Sequence, residues 1–113
     1  MKESPIFVRT YDMLRWLIPA SIKFPRQQRF VLAEALQETA LKFQEQLIEA
    51  SMDANPRDVL QKADVSLTKL RFYLRLCRDL QYLQLGQYEH VSRMVSEIGR
   101  LLGGWMKSVT ITK

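Results

Sequence analysis

The residues with the clearest chemical potential are three arginines in the middle of the chain, Arg71, Arg75 and Arg78. Separations of four and three residues place them along one edge of a helix, where like charges repel by about 0.2–0.5 kcal/mol per pair. Guanidinium groups bind phosphate through paired hydrogen bonds. Two interpretations remain open: the stripe binds a polyanion, or it is solvated or paired with acidic side chains of a neighbouring helix.

A second basic group, Lys23, Arg26 and Arg29, lies beside Phe24 and Phe30 at a predicted turn. Basic residues interleaved with aromatic ones can bind phosphates and stack on bases. The alternative is that the two phenylalanines anchor the turn in the core. We therefore rank this group behind the three arginines as a candidate nucleic-acid contact.

Catalytic chemistry finds little support in the sequence. His90 is the single histidine and Cys77 the single cysteine, and Glu89 is the only acid adjacent to the histidine. No zinc-protease motif, calcium-binding loop or phosphate-binding loop is present, and the glutamates lack the Glu-x-x-His partners of a di-iron bundle. We predict no catalytic residue, no metal site and no cofactor.

Composition points to one folded domain spanning residues 1–113. Apolar residues make up 47% of the chain and charged residues 26%, the balance of a packed globular protein. A single cysteine fits a reducing compartment. No secretory signal is visible, and charges interrupt every window of about 20 residues that a membrane span would need. We expect a cytoplasmic protein that does not contact a membrane.

The net charge of +5 and the pI of about 9.6 make a polyanion a reasonable partner. The charge is unevenly distributed. Residues 30–55 carry five acidic groups and one basic group, whereas residues 1–29, 56–81 and 82–113 have net charges of +4, +3 and +2. Only the second of these four segments is therefore acidic.

The elements that position these side chains are helices, because apolar residues recur at steps of three and four. The predicted helices run roughly over residues 6–21, 25–50, 56–82 and 88–105. Pro19 should disturb or end the first, Pro25 begins the second, Asn55 caps the third, and Gly103-Gly104 bends or frays the fourth. Short links make sequential helices antiparallel, so the predicted fold is an all-α, up-down-up-down four-helix bundle.

The third predicted helix has two apolar sides. One follows a 3-4-3-4-3 spacing and would face the core: Leu60, Ala63, Leu67, Leu70, Leu74 and Cys77. The other set lies elsewhere on the same helix: Val65, Phe72, Tyr73, Leu76, Leu80 and Leu83. Exposure of such a surface in a lone 13 kDa domain would be unusual. It is either an oligomer interface or a second side buried within the bundle.

Nearly the whole chain resembles the accessory variability determinant (Avd) proteins of diversity-generating retroelements, within the wider family of four-helix-bundle proteins encoded by 23S ribosomal RNA intervening sequences. The blocks that carry the resemblance are Thr10–Leu14 with Trp16–Leu17, Phe24–Arg26 with Gln28–Phe30, Leu70–Leu76, Gln87–His90 and Ile98–Trp105. None is a catalytic motif, and their order and separations make the set specific.

The resemblance implies a homopentameric barrel that associates with the retroelement's reverse transcriptase and its template RNA. In such a system the accessory protein supports cDNA synthesis and mutagenic homing, and the polymerase supplies the chemistry. Carried onto this chain, the resemblance makes the arginine stripe the first candidate for RNA or polymerase contact and the Lys23 group the second.

Two alternatives remain. The chain could be a 23S ribosomal RNA intervening-sequence protein without a reverse-transcriptase partner, which the gene neighbourhood would reveal. It could also be a helical protein-interaction adaptor whose basic groups only maintain solubility. RNA retention and the salt dependence of partner binding would separate that adaptor from the other two.

Overall fold

A computed structural model describes residues 4–24 and 29–111, with side chains given for 4–24 and 31–109. Its four α-helices are α1 (Pro5–Ile22), α2 (Glu34–Ser51), α3 (Arg57–Asp79) and α4 (Leu85–Ile111). A π-helical turn, Arg29–Ala33, leads directly into α2. The described ranges contain no strand, which confirms the predicted all-α fold.

The helices form an antiparallel bundle in which each packs against two neighbours, in the ring α1, α2, α3, α4 and back to α1. Contacts between aromatic side chains show that α1 and α4 are antiparallel. Phe7 packs on Trp105 and Trp16 packs on His90, with ring centroids 6.2 and 5.3 Å apart. The bundle is 48 Å long and about 22 Å across. The predicted up-down-up-down bundle is confirmed.

The core side of α3 is the one that the 3-4-3-4-3 spacing predicts. All six residues of that seam are at most 1% exposed. Phe43 of α2 and Leu17 of α1 are fully buried with them. Burying a Leu or Phe side chain contributes about 1.5–3 kcal/mol to stability, so this seam is a principal source of the bundle's stability.

A buried polar contact adds specificity between α2 and α3. Ser66 Oγ donates a 2.7 Å hydrogen bond to Gln46 Oε1, and both residues are less than 10% exposed. Buried polar groups cost free energy unless they are paired, so this bond favours one register of α2 against α3.

The predicted end of the first helix and the predicted start of the third each lie within one residue of the observed boundary, but the expected roles of Pro19 and Asn55 there are wrong. Pro19 does not end α1, which continues to Ile22. Pro19 is exposed and lies in the last turn, where a proline removes only one backbone hydrogen bond. Ser21 also stabilises this end of the helix, because its hydroxyl accepts a hydrogen bond from Gln37 of α2. Asn55 does not cap α3, because its backbone N–H donates to Asp53 Oδ1 and Pro56 takes the cap position.

The double glycine near the end of α4 does not interrupt it, since that helix runs on to Ile111. The predicted start of the second helix at Pro25 lies outside the described residues.

One residue of the predicted oligomer interface, Leu83, is wrongly assigned, because α3 ends earlier than predicted. The helix stops at Asp79 rather than near Tyr82, and Gln81 adopts a positive φ of 67°, the left-handed conformation that closes many helices. The chain then turns inward, and Leu83 is only 2% exposed. Leu83 therefore belongs to the core and not to the second apolar side of α3.

Candidate nucleic-acid interface

Two residues of the predicted arginine stripe, Arg71 and Arg78, lie along the groove between α3 and α4, and Arg75 is exposed between them on the same helix edge. Arg71 reaches across to Gly99 of α4. One residue before the end of α3, the Arg78 guanidinium stacks on the Tyr88 ring, with 4.7 Å between its central carbon and the ring centroid. This stack holds the guanidinium at a fixed place, and its Nε and one terminal nitrogen donate hydrogen bonds to Asp79 Oδ1. Arg71 and Arg78 are thus positioned by α4, the facing helix.

Gly99 makes the position of Arg71 possible. A Cβ on residue 99 would overlap a terminal guanidinium nitrogen of Arg71, so only glycine lets this side chain lie across α4. Beside it is a cavity of about 180 Å³. Its lining residues are Arg71, Leu74, Tyr88, Ser92, Val95 and Ser96. The pocket combines one guanidinium with three hydroxyl-bearing side chains.

Of the three arginines of the stripe, only Arg78 has a carboxylate partner among the described residues. Among the described residues, the ion pairs are Arg9 with Glu97 at 2.9 Å and Arg78 with Asp79 at 2.8 Å. The hydrogen bond to Asp79 raises the pKa of Arg78. Arg71 has no carboxylate partner within the described part of the chain, and neither does Arg75. Both remain available to an external anion.

The outer face of α4 extends this basic surface. Arg93, Arg100 and Lys107 recur at intervals of seven residues and are all exposed. A seven-residue interval spans nearly two helical turns, so the three side chains share one face. These three residues are not part of the predicted site, although their seven-residue spacing is a signal that the sequence contains.

The opposite flank of α3 has a different character. A groove of about 680 Å³ separates it from α2. Its charged lining residues are Glu38, Glu45 and Glu49 with Lys42, Lys62 and Lys69. Three carboxylates and three ammonium groups balance, so this groove has no net charge to attract a polyanion.

The second basic group is described only in part. Lys23 is exposed just after α1. Arg26 lies outside the described residues, and so does the side chain of Arg29. Phe24 is 4% exposed and packs on Tyr82 with ring centroids 5.7 Å apart. Phe24 therefore anchors the chain in the core and is not available for base stacking.

The second apolar side of α3 is partly open. Val65, Phe72 and Leu80 are 53%, 65% and 47% exposed, whereas Tyr73 and Leu76 are half-buried against the core. Helix α1 carries an exposed apolar side of its own, formed by Val8, Tyr11 and Ile22. We call these the α3 stripe (Val65, Phe72, Leu80) and the α1 stripe (Val8, Tyr11, Ile22). Since α1 and α3 are not neighbours in the ring, the stripes face different directions.

The remaining features of the described residues provide weaker evidence for a functional site. His90 packs on Trp16, and no three metal-ligating side chains cluster in the described ranges. An apolar cavity of about 820 Å³ opens at one end of the bundle, between the start of α1 and the later parts of α2 and α4. Within residues 4–24 and 29–111, none of the helices has the length and apolarity needed to cross a membrane.

The fold and the groove define a small four-helix-bundle protein with an electropositive face. Residues 6–109 match the family described as bAvd-like. The chain therefore belongs to the bAvd-like family, the Avd proteins of diversity-generating retroelements, and is an Avd-type accessory protein.

A solved structure supports the fold independently. It is a crystal structure of a protein of unknown function from the S23 ribosomal protein family of Bacteroides thetaiotaomicron. The TM-score is 0.83 at 19% sequence identity, covering 95% of this chain and 99% of that one. At this identity the similarity establishes the bundle alone. No curated protein matches the sequence significantly.

Proposed function

We propose that this accessory protein acts as a homo-oligomer that binds the template RNA of a retroelement together with its reverse transcriptase, supporting cDNA synthesis and mutagenic homing. The polymerase supplies the chemistry, in the cytoplasm. The observation that carries the proposal is the α3–α4 groove, which Arg71 lines. Neither Arg71 nor Arg75, on the same edge of α3, has a carboxylate partner within the described residues.

The groove suits phosphate better than it suits a protein carboxylate. Arg71, Arg75 and Arg78 repeat along one helix edge at intervals of about 4.5–6 Å, given a rise of about 1.5 Å per residue. Successive phosphates of a nucleic-acid strand can meet such a row, and Arg93, Arg100 and Lys107 add further positive charge on α4. Binding of this kind releases counterions, so its affinity falls steeply as salt rises.

The two exposed stripes support self-association. A twofold dimer would bury one kind of patch against itself, whereas a ring buries two different patches against each other. Helices α1 and α3 are each antiparallel to α4, so they run in the same direction. Rotation about an axis along the bundle therefore brings the α1 stripe of one copy beside the α3 stripe of the next. The proposed ring is the pentamer that the family resemblance implies.

The test is light scattering coupled to size exclusion, with and without a structured RNA at two salt concentrations. We expect a five-subunit particle that retains RNA at low salt and releases it at high salt. A monomer that ignores RNA at both salt concentrations would contradict the proposal.

The polymerase partner needs its own measurement. Co-purification with the reverse transcriptase of the same retroelement, in the presence and absence of nuclease, would distinguish direct contact from tethering through RNA. A chain that binds ribosomal RNA and ignores the polymerase would be an intervening-sequence protein. A chain that binds a protein partner independently of salt and without RNA would be an adaptor.

A further inference from the structure

We propose that the small cavity beside Arg71 is a binding site, called here the phosphate seat, for one backbone phosphate of the bound nucleic acid. Gly99 makes this site possible because it leaves room for Arg71 to lie across α4. The inference rests on the proposed RNA binding and assigns its recognition to a defined place. The seat consists of the Arg71 guanidinium and the hydroxyls of Ser92 and Ser96, beside the Tyr88 ring.

The size of the cavity matches a single phosphate. Pockets for drug-sized molecules and cofactors occupy roughly 300–1,000 Å³. The cavity beside Arg71 measures about 180 Å³, too small for a nucleotide with its base and ribose. It is open to solvent at its rim, since Arg71 and Ser96 are exposed. A strand running along the groove could therefore place one phosphate there while its bases remain outside.

The chemistry of the lining is that of an oxyanion site. Arg71 offers several N–H donors in a planar fork, and Ser92 and Ser96 lie one turn apart on α4 so that both hydroxyls face the groove. Within the described residues neither serine hydroxyl makes a hydrogen bond, and Arg71 has no carboxylate partner. No carboxylate lines the cavity, so nothing in it repels an anion.

Gly99 provides an unusually direct test. In Gly99→Ala the new methyl group occupies the place of the guanidinium, and the flexible Arg71 side chain swings away while the net charge stays the same. Gly103→Ala on the same helix is the matched control, because a Cβ there meets nothing within 4 Å. Both variants gain alanine's higher helix propensity, and circular dichroism and thermal melting should show both folded.

RNA affinity, measured by fluorescence anisotropy over a salt series, separates the outcomes. We expect Gly99→Ala to weaken binding about tenfold, the size expected for a lost charge-assisted contact. Its log–log salt slope should fall by about 0.7–0.9, one phosphate contact. Gly103→Ala should match the unaltered chain in both. The double variant Ser92→Ala with Ser96→Ala, which keeps every charge, should lose affinity about threefold to tenfold.

Equal affinities for Gly99→Ala and Gly103→Ala would overturn the phosphate seat while leaving RNA binding intact. Failure of the unaltered chain to bind RNA would instead overturn the proposed function itself. Inorganic phosphate at matched ionic strength distinguishes the source of the anion. We expect it to compete no better than chloride, because it lacks the neighbouring backbone contacts. Complete displacement of RNA by millimolar phosphate would mean that the cavity binds the free ion.

Discussion

The two flanks of α3 differ in how their cations are compensated. On the α2 side, Lys62 and Lys69 share a groove with Lys42 and three glutamates, and the charges balance. On the α4 side, Arg71 faces two serines and a glycine, and no carboxylate lines its cavity. One helix thus carries a neutral flank and an electropositive flank. Net charge alone could not reveal this, because the placement of the acids on α2 decides which cations remain available.

The largest effect should come from removing the arginines of the electropositive flank. The triple variant Arg71→Ala, Arg75→Ala and Arg78→Ala should weaken RNA binding on the order of a hundredfold or more and reduce the salt slope by about two to three. Fluorescence anisotropy over a salt series measures both quantities.

The matched control removes the same charge from the neutral flank, as Lys42→Ala, Lys62→Ala and Lys69→Ala. We expect this variant to lose far less affinity, since those ammonium groups lie among carboxylates. Exposed side chains usually change stability by no more than about 0.5 kcal/mol each, so both variants should stay helical. Equal losses in the two variants would show that RNA senses only total charge.

A second variant separates assembly from charge. Phe72, which is 65% exposed on the α3 stripe, should be essential to the proposed ring, and Phe72→Glu should yield monomers in light scattering. The loss of the oligomer should also lower RNA affinity, because several binding sites in one particle can bind the same RNA molecule at once. Leu41→Glu, at an exposed apolar position of α2 outside both stripes, is the control and should leave the particle intact. A Phe72→Glu oligomer of unchanged mass would remove the α3 stripe from the interface.

A third prediction concerns the boundary between the basic flank and the core. Neighbouring cations lower the pKa of a thiol, whereas burial raises it. Cys77 lies between Arg75 and Arg78 in sequence, yet burial raises its pKa to about 11. The unfolded thiol loses its proton at lower pH than the folded one, so stability should fall as pH rises between about 9 and 11.

The loss assigned to Cys77 is at most about 2–3 kcal/mol. It is measured as the difference in pH dependence between the unaltered chain and Cys77→Ala in urea unfolding. Identical pH dependence in the two proteins would show that burial does not raise the pKa of the Cys77 thiol. The positive charge of the basic flank would then act on the thiol despite its burial.

The smallest expected effect concerns the neutral flank, whose buried Ser66–Gln46 hydrogen bond should contribute to stability and not to RNA binding. Ser66→Ala removes the buried donor to Gln46 Oε1 and should destabilise the bundle by about 1–2 kcal/mol in urea unfolding. RNA affinity should not change. Ser51→Ala removes an exposed hydroxyl that bonds within its own helix, and it should be nearly silent. Loss of RNA binding in a folded Ser66→Ala protein would contradict the division of roles between the flanks.

Much of the fold could be predicted because periodicity is local. The seam from Leu60 to Cys77 is a 3-4 repeat, and such a repeat identifies the buried side of a helix without knowledge of its partners. The errors arose where tertiary packing overrides local preference. Pro19 stays within α1 because the next turn is held by Ser21, and Leu83 is buried because α3 ends early at a left-handed Gln81.

The site was predictable only in part. The spacing of Arg71, Arg75 and Arg78 placed them on one edge, but whether that edge met acids or open groove depended on which helix lay beside it. The contribution of Gly99, Ser92 and Ser96 depends on the register of α4 against α3, which no local pattern contains. A glycine in mid-helix was the available signal, since it weakens the helix and calls for a packing reason.

The most direct test of the account is photo-crosslinking of bound RNA carrying 4-thiouridine, followed by mass spectrometry of the crosslinked peptides. The two flanks offer comparable aromatic reporters, Tyr88 in the α3–α4 groove and Tyr73 in the α2–α3 groove. We expect crosslinks on peptides that contain Tyr88 and its neighbours on α4. Crosslinks centred on Tyr73 and the glutamates of α2 would contradict the assignment of RNA binding to the electropositive flank.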